Sequence, residues 1–293
     1  MIYLLHLFRW TKNLIRFPLQ FFLLLFNDIK KDHFSNLRNN KNKFILVIGV
    51  PKSGTTFIEE ILSAAGYVDL SSSFLRIFDN RNLKNPHDIS DSMFKFVPKN
   101  KYTFIKVHAH FSDSNFKVIE KYKPKVIIST RELKNILISR YCHIISDRKH
   151  RHHKEIVNLE TFEGIKKSLI MKNSFDTPIK PLDYFFYWIT DWFQEIKKRN
   201  LNYLILRYED IKKDKNNYVT NILNYLNIKN ISSNDILKKL QKNSQKNKKS
   251  LNYNLNSYIK PKTFNKDSDI IRSKIDMSAL TNFIDKNIPK KNR

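Results

Sequence analysis

A short loop between a predicted strand and a predicted helix carries residue types that can bind an oxyanion. The apolar stretch Phe44–Ile48 is followed by Gly49 and then by the segment Pro51-Lys-Ser-Gly-Thr-Thr56. A helix that begins in this segment leaves its first backbone N–H groups without partners inside the helix, and such groups attract anions. The segment therefore predicts a phosphate or sulfate site, and the residues expected to contact the anion are Lys52, Ser53, Gly54, Thr55 and Thr56.

The position of the lysine distinguishes this loop from the Walker A loop of ATPases and kinases. In the Walker A loop, G-x-x-x-x-G-K-[ST], the lysine follows the second glycine and the next hydroxyl binds magnesium. Here Gly49 and Gly54 keep the spacing of the two glycines, but Thr55 follows them and the lysine is Lys52. A lysine inside the loop can contact a bridging or leaving-group oxygen, which argues against an ordinary ATPase or kinase.

An arginine and a serine further along the chain form a second candidate phosphate site. The stretch Val126–Thr130 predicts a strand that is followed at once by Arg131, and Ser139 comes eight residues later on the next predicted helix. A guanidinium can donate two parallel hydrogen bonds to one phosphate, and a serine two turns along the helix can reach the same group. We therefore expect Arg131 and Ser139 to bind one phosphate together.

The two sites together resemble those of a known family. The loop at residues 51–56 resembles the 5′-phosphosulfate loop of the sulfotransferases that use 3′-phosphoadenosine 5′-phosphosulfate (PAPS). Arg131 and Ser139 resemble the 3′-phosphate site of that family, although its Arg-Asp-Pro pattern reads Arg131-Glu-Leu133 here. The resemblance covers roughly residues 43–275. It implies a PAPS-dependent sulfotransferase with PAPS as co-substrate, no metal, and a P-loop-like α/β fold in which helices flank a parallel sheet in three layers.

The resemblance also implies catalytic roles. The stretch Thr103–His108 is similar to the family's Lys-Thr-His strand end, with Val107 where the family has threonine. This similarity implies that His108 is the general base and that Lys106 lies beside it. Histidine suits the role because its ordinary pKa is close to the working pH. Lys52 would stabilise the negative charge that develops on the leaving phosphate oxygen.

Several assignments stay open at this point. His110 is an alternative base, and Glu59 and Glu60 are others because some carbohydrate-modifying relatives use a glutamate. Phe57 either stacks on the adenine or belongs to the core. Arg272 resembles, faintly, a basic element that closes over the 3′-phosphate. The segment Leu206–Asp210 resembles the family's Tyr-Glu-Asp strand end and is interpreted as a structural marker of the sheet.

The predicted elements fit this interpretation. Short apolar runs alternate with helical stretches after residue 43, which is typical of a parallel α/β sheet. We expect strands at Phe44–Ile48, Thr103–His108, Val126–Thr130 and Tyr203–Tyr208. We expect helices at Thr55–Ala65, Leu133–Ile145, Leu182–Lys198 and Tyr218–Leu226, with Gly66 as a left-handed cap of the first, and only loops with a weak helical piece at Ile236–Leu240 between residues 227 and 260.

The first 42 residues differ from the rest. Residues 1–26 are apolar with a polar stripe, but the run Phe17–Phe26 is shorter than the roughly 20 residues that span a bilayer. We interpret residues 1–42 as an N-terminal arm and linker, and residues 43–293 as the sulfotransferase domain. The arm contacts a membrane surface or docks on the domain, and a short signal-anchor is the third alternative. We expect a cytoplasmic protein, associated with a membrane where the arm binds one.

Composition limits the remaining possibilities. With 293 residues, 41% of them hydrophobic, the chain can form a full core. The formal net charge of +27 favours anionic partners without choosing among them. The single cysteine, Cys142, excludes an intrachain disulfide and a cysteine-based zinc site. The tract Asp147–Lys154 contains three histidines but lacks acidic or cysteine ligands around them, so we expect a solvated loop rather than a metal site.

Three functions are weighed on these observations. The first is sulfuryl transfer from PAPS to a hydroxyl or amine of an unidentified acceptor, which is a carbohydrate, a lipid-linked molecule or a small alcohol. The second is a P-loop kinase or NTPase with a displaced lysine, which would require magnesium. The third is a basic protein that binds membranes or nucleic acid without catalysis. No nucleic-acid partner is expected, because the sequence contains no recognisable nucleic-acid-binding module.

Overall fold

The computed structural model describes residues 43–71, 88–95, 97, 101–148, 150–171, 179–250 and 276–287. The expectations for the N-terminal arm, residues 1–42, and for Arg272 concern residues outside these ranges. Within them, no helix is long and apolar enough to cross a membrane.

A five-stranded sheet forms the centre of the fold. Its strands lie in the order β2-β3-β1-β4-β5. The pairing of β1 with β3 is parallel, and so is that of β2 with β3. The expected α/β fold with a parallel sheet is confirmed. In chain order, the strands are β1 (Phe44–Gly49), β2 (Val68–Asp69), β3 (Thr103–Val107), β4 (Lys125–Thr130) and β5 (Leu204–Arg207).

Helices follow most of the strands. The four predicted helices are present, and the first has the predicted bounds. The described helices are α1 (Thr55–Ala65), α2 (Ser92–Lys95), α3 (Asp113–Tyr122), α4 (Leu133–Ser146), α5 (His153–Ile156), α6 (Thr161–Ile170), α7 (Pro181–Lys198), α8 (Tyr208–Lys213), α9 (Lys215–Tyr225), α10 (Ser233–Ser250) and α11 (Met277–Asn287).

Three expectations about these elements need correction. The strand predicted at Tyr203–Tyr208 is shorter, because Tyr208 already begins α8. The weak helical piece predicted at Ile236–Leu240 is the centre of α10, an 18-residue helix. The helices α3 and α6 were not predicted from the sequence. In α3, α6 and α10, polar surface residues interrupt the apolar pattern, which was the main signal for predicting helices from the sequence.

The burial of the central strand, β1, explains the unbroken apolar run Phe44–Ile48 in the sequence. Residues 45–48 of β1 are completely buried, as are Val126, Ile127 and Ile128 of β4. A parallel strand with both faces covered must be apolar at every position rather than at alternate ones. Cys142, on α4, is also completely buried and is a free thiol.

The predicted cap of α1 is confirmed. Gly66 has a φ of 111°. The backbone N–H of Gly66 donates to Ser63, and that of Tyr67 donates to Leu62, so two terminal carbonyls of the helix have partners. A glycine is favoured here because other residues adopt a positive φ only with strain.

The chain divides into two compact units. Of the described residues, the first unit contains those up to Gly49, those within Thr55–Ile128 and those of Asp214–Lys242. The second unit contains Val50–Gly54 and the described residues within Ser129–Lys213 and after Lys242. The loop Val50–Gly54 thus belongs to the second unit, whereas β1 before it and α1 after it belong to the first.

In the first unit, a tyrosine on α9 binds the beginning of β4. The hydroxyl of Tyr225 donates to the carbonyl of Val126 at 3.0 Å and accepts from the N–H of Val126 at 3.3 Å. One side chain thereby satisfies both polar backbone groups of a buried residue, which would be costly to leave without partners.

Tyr225→Phe should lower the free energy of unfolding by about 1 to 3 kcal/mol, because Val126 loses this partner while the ring is kept. Urea unfolding measures the change as a shift in midpoint at constant slope. Thr220→Val, which removes a hydroxyl from the same helix, is the control and should cost less than about 0.5 kcal/mol. An unchanged midpoint for Tyr225→Phe would show that its hydroxyl does not stabilise β4.

Candidate active site

The loop after β1 lies where the strand order of the sheet reverses. In the sheet, β1 lies between β3 on one side and β4 on the other. The strands β2 and β3 therefore lie on one side of β1, and the later strands β4 and β5 lie on the other. In open α/β sheets, ligands bind at the carboxyl end of the strands where the order changes direction. The segment at residues 50–56, predicted from the sequence to bind an anion, therefore follows a strand at this change of order, and its binding role stays a prediction.

Hydrogen bonds between two serines hold this loop in place within the second unit. The side chain of Ser53 is completely buried, and its hydroxyl donates to the hydroxyl of Ser129 at 3.0 Å. The hydroxyl of Ser129 in turn donates to the carbonyl of Ser53 at 2.9 Å. The backbone is fixed as well, because the N–H of Val50 donates to the carbonyl of Ser129 and the N–H of Ser53 to that of Val50.

These bonds give Ser53 a role in holding the loop, which was not expected from the sequence. Its hydroxyl and its N–H are both engaged in holding the loop, so direct contact with an anion remains a prediction for this residue. Ser129 was not singled out from the sequence. The signal was a serine inside the otherwise apolar run of β4, where a buried hydroxyl requires a partner.

The backbone of the loop is held in a conformation that few residues adopt. Lys52 has a φ of 74° and Gly54 a φ of 89°. The carbonyl of Lys52 accepts a hydrogen bond from Nη1 of Arg131 at 3.1 Å, which helps to hold this conformation. At Gly54, an added Cβ would overlap the ring of Tyr208, so this position requires glycine for its space as well as its φ.

Arg131 is positioned by three contacts in the second unit. Besides the bond to Lys52, its guanidinium lies 4.1 Å from the ring centre of Tyr208, within the range of a cation–π interaction. Its Nε lies 4.0 Å from Oε1 of Glu209. The side chain is only 9% exposed, so these contacts fix its direction. The expected phosphate ligand is therefore attached directly to the loop that is expected to hold the sulfate.

Glu209 also joins α8 to the start of α4. Its Oε1 accepts from the N–H of Glu132 at 3.2 Å and from the side-chain amide of Asn135 at 3.3 Å. Tyr208 and Glu209 belong to the segment interpreted from the sequence as a structural marker. The structure gives them a more specific task, since both contact Arg131. Ser139 lies on α4 in the same unit and is 6% exposed.

In the first unit, His108 is oriented by the backbone of β1. Its Nδ1 lies 2.5 Å from the carbonyl oxygen of Gly49. A carbonyl can only accept, so Nδ1 carries the proton and Nε2 of the neutral ring presents a lone pair. Gly49 is the last residue of β1 and precedes Lys52 by three positions in the chain. A neutral imidazole with this tautomer can remove a proton through Nε2.

Lys106 and Glu59 form an ion pair in the same unit. Nζ of Lys106 lies 2.8 Å from Oε1 of Glu59, and the side chains are 21% and 16% exposed. The positive charge of Lys106 is thus partly neutralised by the carboxylate of Glu59. The pair also gives Glu59 a role other than that of a base, while Glu60 is exposed.

The start of α1 carries the remaining predicted contacts. Thr55 is buried and Thr56 is exposed. The ring of Phe57 lies 5.9 Å from that of Tyr218, and Nζ of Lys215 lies 5.6 Å from the Phe57 ring centre. The Phe57 ring is partly exposed beside a second ring and a cation, which is compatible with adenine stacking.

The histidine tract after α4 corrects one expectation. His152 is 8% exposed and α5 begins at His153, so the solvated loop predicted for this tract is corrected in part: Arg148, Arg151 and Lys154 are exposed, but His152 is buried. No group of three or more His, Cys, Asp or Glu side chains in the described ranges is arranged to hold a metal ion.

These features define an α/β protein with a strand-loop-helix segment after β1, a buried arginine bound to that loop, and an oriented histidine at a strand end. A family model described as "Sulfotransferase domain" matches residues 42–277. The chain therefore belongs to the sulfotransferase family and is an enzyme of the class that the sequence indicated. The kinase and the non-catalytic alternatives are set aside on the same ground.

Two solved structures illustrate what the chain is similar to. One is retinol dehydratase in complex with retinol and PAP, at 14% identity and a TM-score of 0.45, covering 86% of this chain and 84% of that one. The other is a mouse sulfotransferase complexed with PAP, at 16% identity and a TM-score of 0.48, covering 84% of this chain and 88% of that one. A comparison with curated proteins gave no match.

The contact between Gly54 and Tyr208 can be tested through stability. Gly54→Ala should lower the free energy of unfolding by more than about 1 kcal/mol, because it adds both a strained φ and an overlap. In the Tyr208→Ala background the overlap is gone and only the φ strain remains, so the same substitution should cost less. Urea unfolding of the four proteins of this double-mutant cycle measures the difference. Strictly additive effects would contradict the contact.

Proposed function

We propose that the enzyme transfers a sulfuryl group from PAPS to a hydroxyl or amine of an acceptor and releases adenosine 3′,5′-bisphosphate (PAP). The family assignment supports the reaction class. The observation that carries the assignment of the base is the bond from His108 to the carbonyl of Gly49, which leaves Nε2 as a proton acceptor. Because Gly49 leads directly into the loop of Lys52, the base and the loop are attached to the same strand.

The proposed step is an in-line displacement at sulfur. The acceptor oxygen or nitrogen forms a bond to sulfur, and its proton passes to Nε2 of His108. The bond between sulfur and the bridging oxygen breaks, and its electron pair stays on the 5′-phosphate of PAP. Most of the catalysis in such transfers comes from positioning and from neutralising charge on the leaving group. Lys52 supplies the neutralising charge, and Lys106, paired with Glu59, acts near the base.

The co-substrate would be held at both of its charged ends. The loop from Lys52 to Thr56 binds the 5′-phosphosulfate, and Arg131, Ser139 and Arg272 bind the 3′-phosphate. Phe57 stacks on the adenine. These cations supply the charge that magnesium supplies in kinases, so the reaction is proposed to need no metal. The acceptor is a carbohydrate, a lipid-linked molecule or a small alcohol, and residues 1–26 are proposed to contact a membrane surface.

Arg131→Ala should weaken the binding of PAP by at least tenfold, because the 3′-phosphate loses a charge-assisted, bidentate partner. Calorimetric titration without magnesium measures this, with ADP as the ligand that lacks the 3′-phosphate. Wild type should prefer PAP, and the variant should lose the preference. Equal binding of ADP and PAP by wild type, or ADP binding that requires magnesium, would contradict the proposed co-substrate.

His108→Ala should lower turnover by about 10² to 10⁴-fold while the affinity for PAP is kept, because only the transfer of the acceptor proton is lost. The release of PAP from PAPS in the presence of acceptor measures turnover. His110→Ala is the matched control and should have the smaller effect. Full activity of His108→Ala would remove His108 from the mechanism, and a larger loss in His110→Ala would move the base to His110.

A further inference from the structure

The second unit contains basic side chains that the proposed mechanism does not use. Two of them lie on α4, and three lie in the turn between α4 and α5. They are brought together although the sequence predicted a solvated loop for the turn. We call this group the basic cluster, and its members are Arg140, His143, His150, Arg151 and His152.

The members of the cluster contact one another. The ring centres of His143 and His150 are 5.7 Å apart, as are those of His150 and His152. The backbone N–H of His152 donates to Nδ1 of His150 at 3.2 Å, so this nitrogen carries no proton and the proton of the neutral ring is on Nε2. Nε of Arg151 donates to Nε2 of His152 at 3.1 Å. The turn is thus built around its own histidines.

The charge of Arg140 is removed from water, whereas Arg151 is exposed. Arg140 is 5% exposed, and its Nη1 donates to the carbonyl of Ser168 at 3.4 Å. Burial, together with the charge of Arg151, lowers the pKa of Arg140 to about 10. A buried guanidinium remains charged at neutral pH even so, and a buried charge is stabilised best by an opposite one.

Both central histidines are held neutral by their surroundings. The pKa of His143 is lowered to about 4, first by burial and then by the positive charge of Lys52, with His150 and Arg140 acting in the same direction and Asp147 against it. A site that disfavours the protonated form of an imidazole in this way has an excess of positive charge and little contact with water.

The same holds for His150. Its pKa is lowered to about 4, first by burial and then by Arg140, with His152 and Arg151 in the same direction and Asp147 against it. Asp147 thus acts on both central histidines, and a second carboxylate, Glu155, lies at the edge of the cluster with its Oε1 3.2 Å from Nδ1 of His152.

The cluster adjoins the loop of the candidate active site. His143 lies four residues after Ser139, which places both on the same face of α4. Lys52 lies near enough for its charge to act on His143, and it is the residue proposed to contact the oxygen that links phosphate to sulfur. The cluster therefore lies within electrostatic reach of Lys52, the residue proposed to act on the leaving oxygen.

We propose that the basic cluster binds an oxyanion group of the acceptor, so that the acceptor is an anionic molecule carrying a carboxylate, a phosphate or an existing sulfate. This inference rests on the proposed function. A bound anion offsets the buried charge of Arg140 and raises the pKa of both central histidines. Binding then takes up protons, so affinity increases as the pH falls from 8 toward 5 and levels off near the pKa of the empty site.

The first test uses inorganic sulfate as the probe and keeps PAP saturating, so that the nucleotide site is filled. Histidine ring resonances, assigned with His143→Gln and His150→Gln, should shift on addition of sulfate, and both pKa values should rise from about 4. Arg151→Gln should weaken sulfate binding about three- to tenfold. Arg148→Gln removes the same charge from the same turn at a residue outside the cluster, and should change the affinity less than twofold.

The second test distinguishes an acceptor group from a free anion. At saturating PAP, methyl glucuronide should bind more tightly than methyl glucoside, and Arg151→Gln should remove most of this difference. Sulfate binding without any preference between the two glycosides would overturn the acceptor assignment. Absence of histidine shifts, or equal effects of Arg148→Gln and Arg151→Gln, would overturn the site itself.

Failure of the proposed function is distinguishable from failure of this inference. If wild type does not bind PAP, the co-substrate assignment fails, while the sulfate-induced shifts of His143 and His150 still report on the cluster in the nucleotide-free protein. If Arg151→Gln weakens PAP itself, the cluster belongs to the nucleotide site and the acceptor inference is wrong.

Discussion

The reciprocal hydrogen bonds between Ser53 and Ser129 are the constraint on which the second unit depends. They hold the loop after β1 against the end of β4. The unusual backbone of Lys52 and Gly54 lies on either side of Ser53, so the loop cannot relax without breaking these buried bonds. Breaking them would leave buried hydroxyls without partners, which costs about 1 to 3 kcal/mol each. Preorganisation of this kind reduces the reorganisation needed when an anion arrives.

Arg131, which is proposed to bind the 3′-phosphate, extends the same constraint to two further segments of the chain. It donates to the loop at Lys52, lies on Tyr208, and faces Glu209, which also binds the start of α4. Three segments that are distant in the sequence are therefore fixed around one guanidinium. In the first unit, the bond from His108 to Gly49 has a comparable effect, because it selects the tautomer of the proposed base as well as its direction.

The sequence predicts the loop and the parallel sheet well because both depend on local signals. The run Phe44–Ile48, the glycines and the lysine are adjacent in the chain, and a fully buried strand has a pattern that other elements rarely share. The roles of Ser129 and Tyr208 depend on contacts across 76 and more than 150 positions, which no local pattern encodes. The histidine tract differs from its prediction for a similar reason, since the contact of His150 with His143 of α4 is not encoded in the composition of the tract.

The single cysteine provides access to the dynamics of this region. Cys142 is the only thiol in the chain and is completely buried in α4, between Ser139 and His143 in the sequence. A thiol reagent can reach it only when that part of the helix opens, so the rate of its modification reports the free energy of local opening. The native chain thus contains a reporter, without engineering, for the helix on which two different anion sites are proposed to meet.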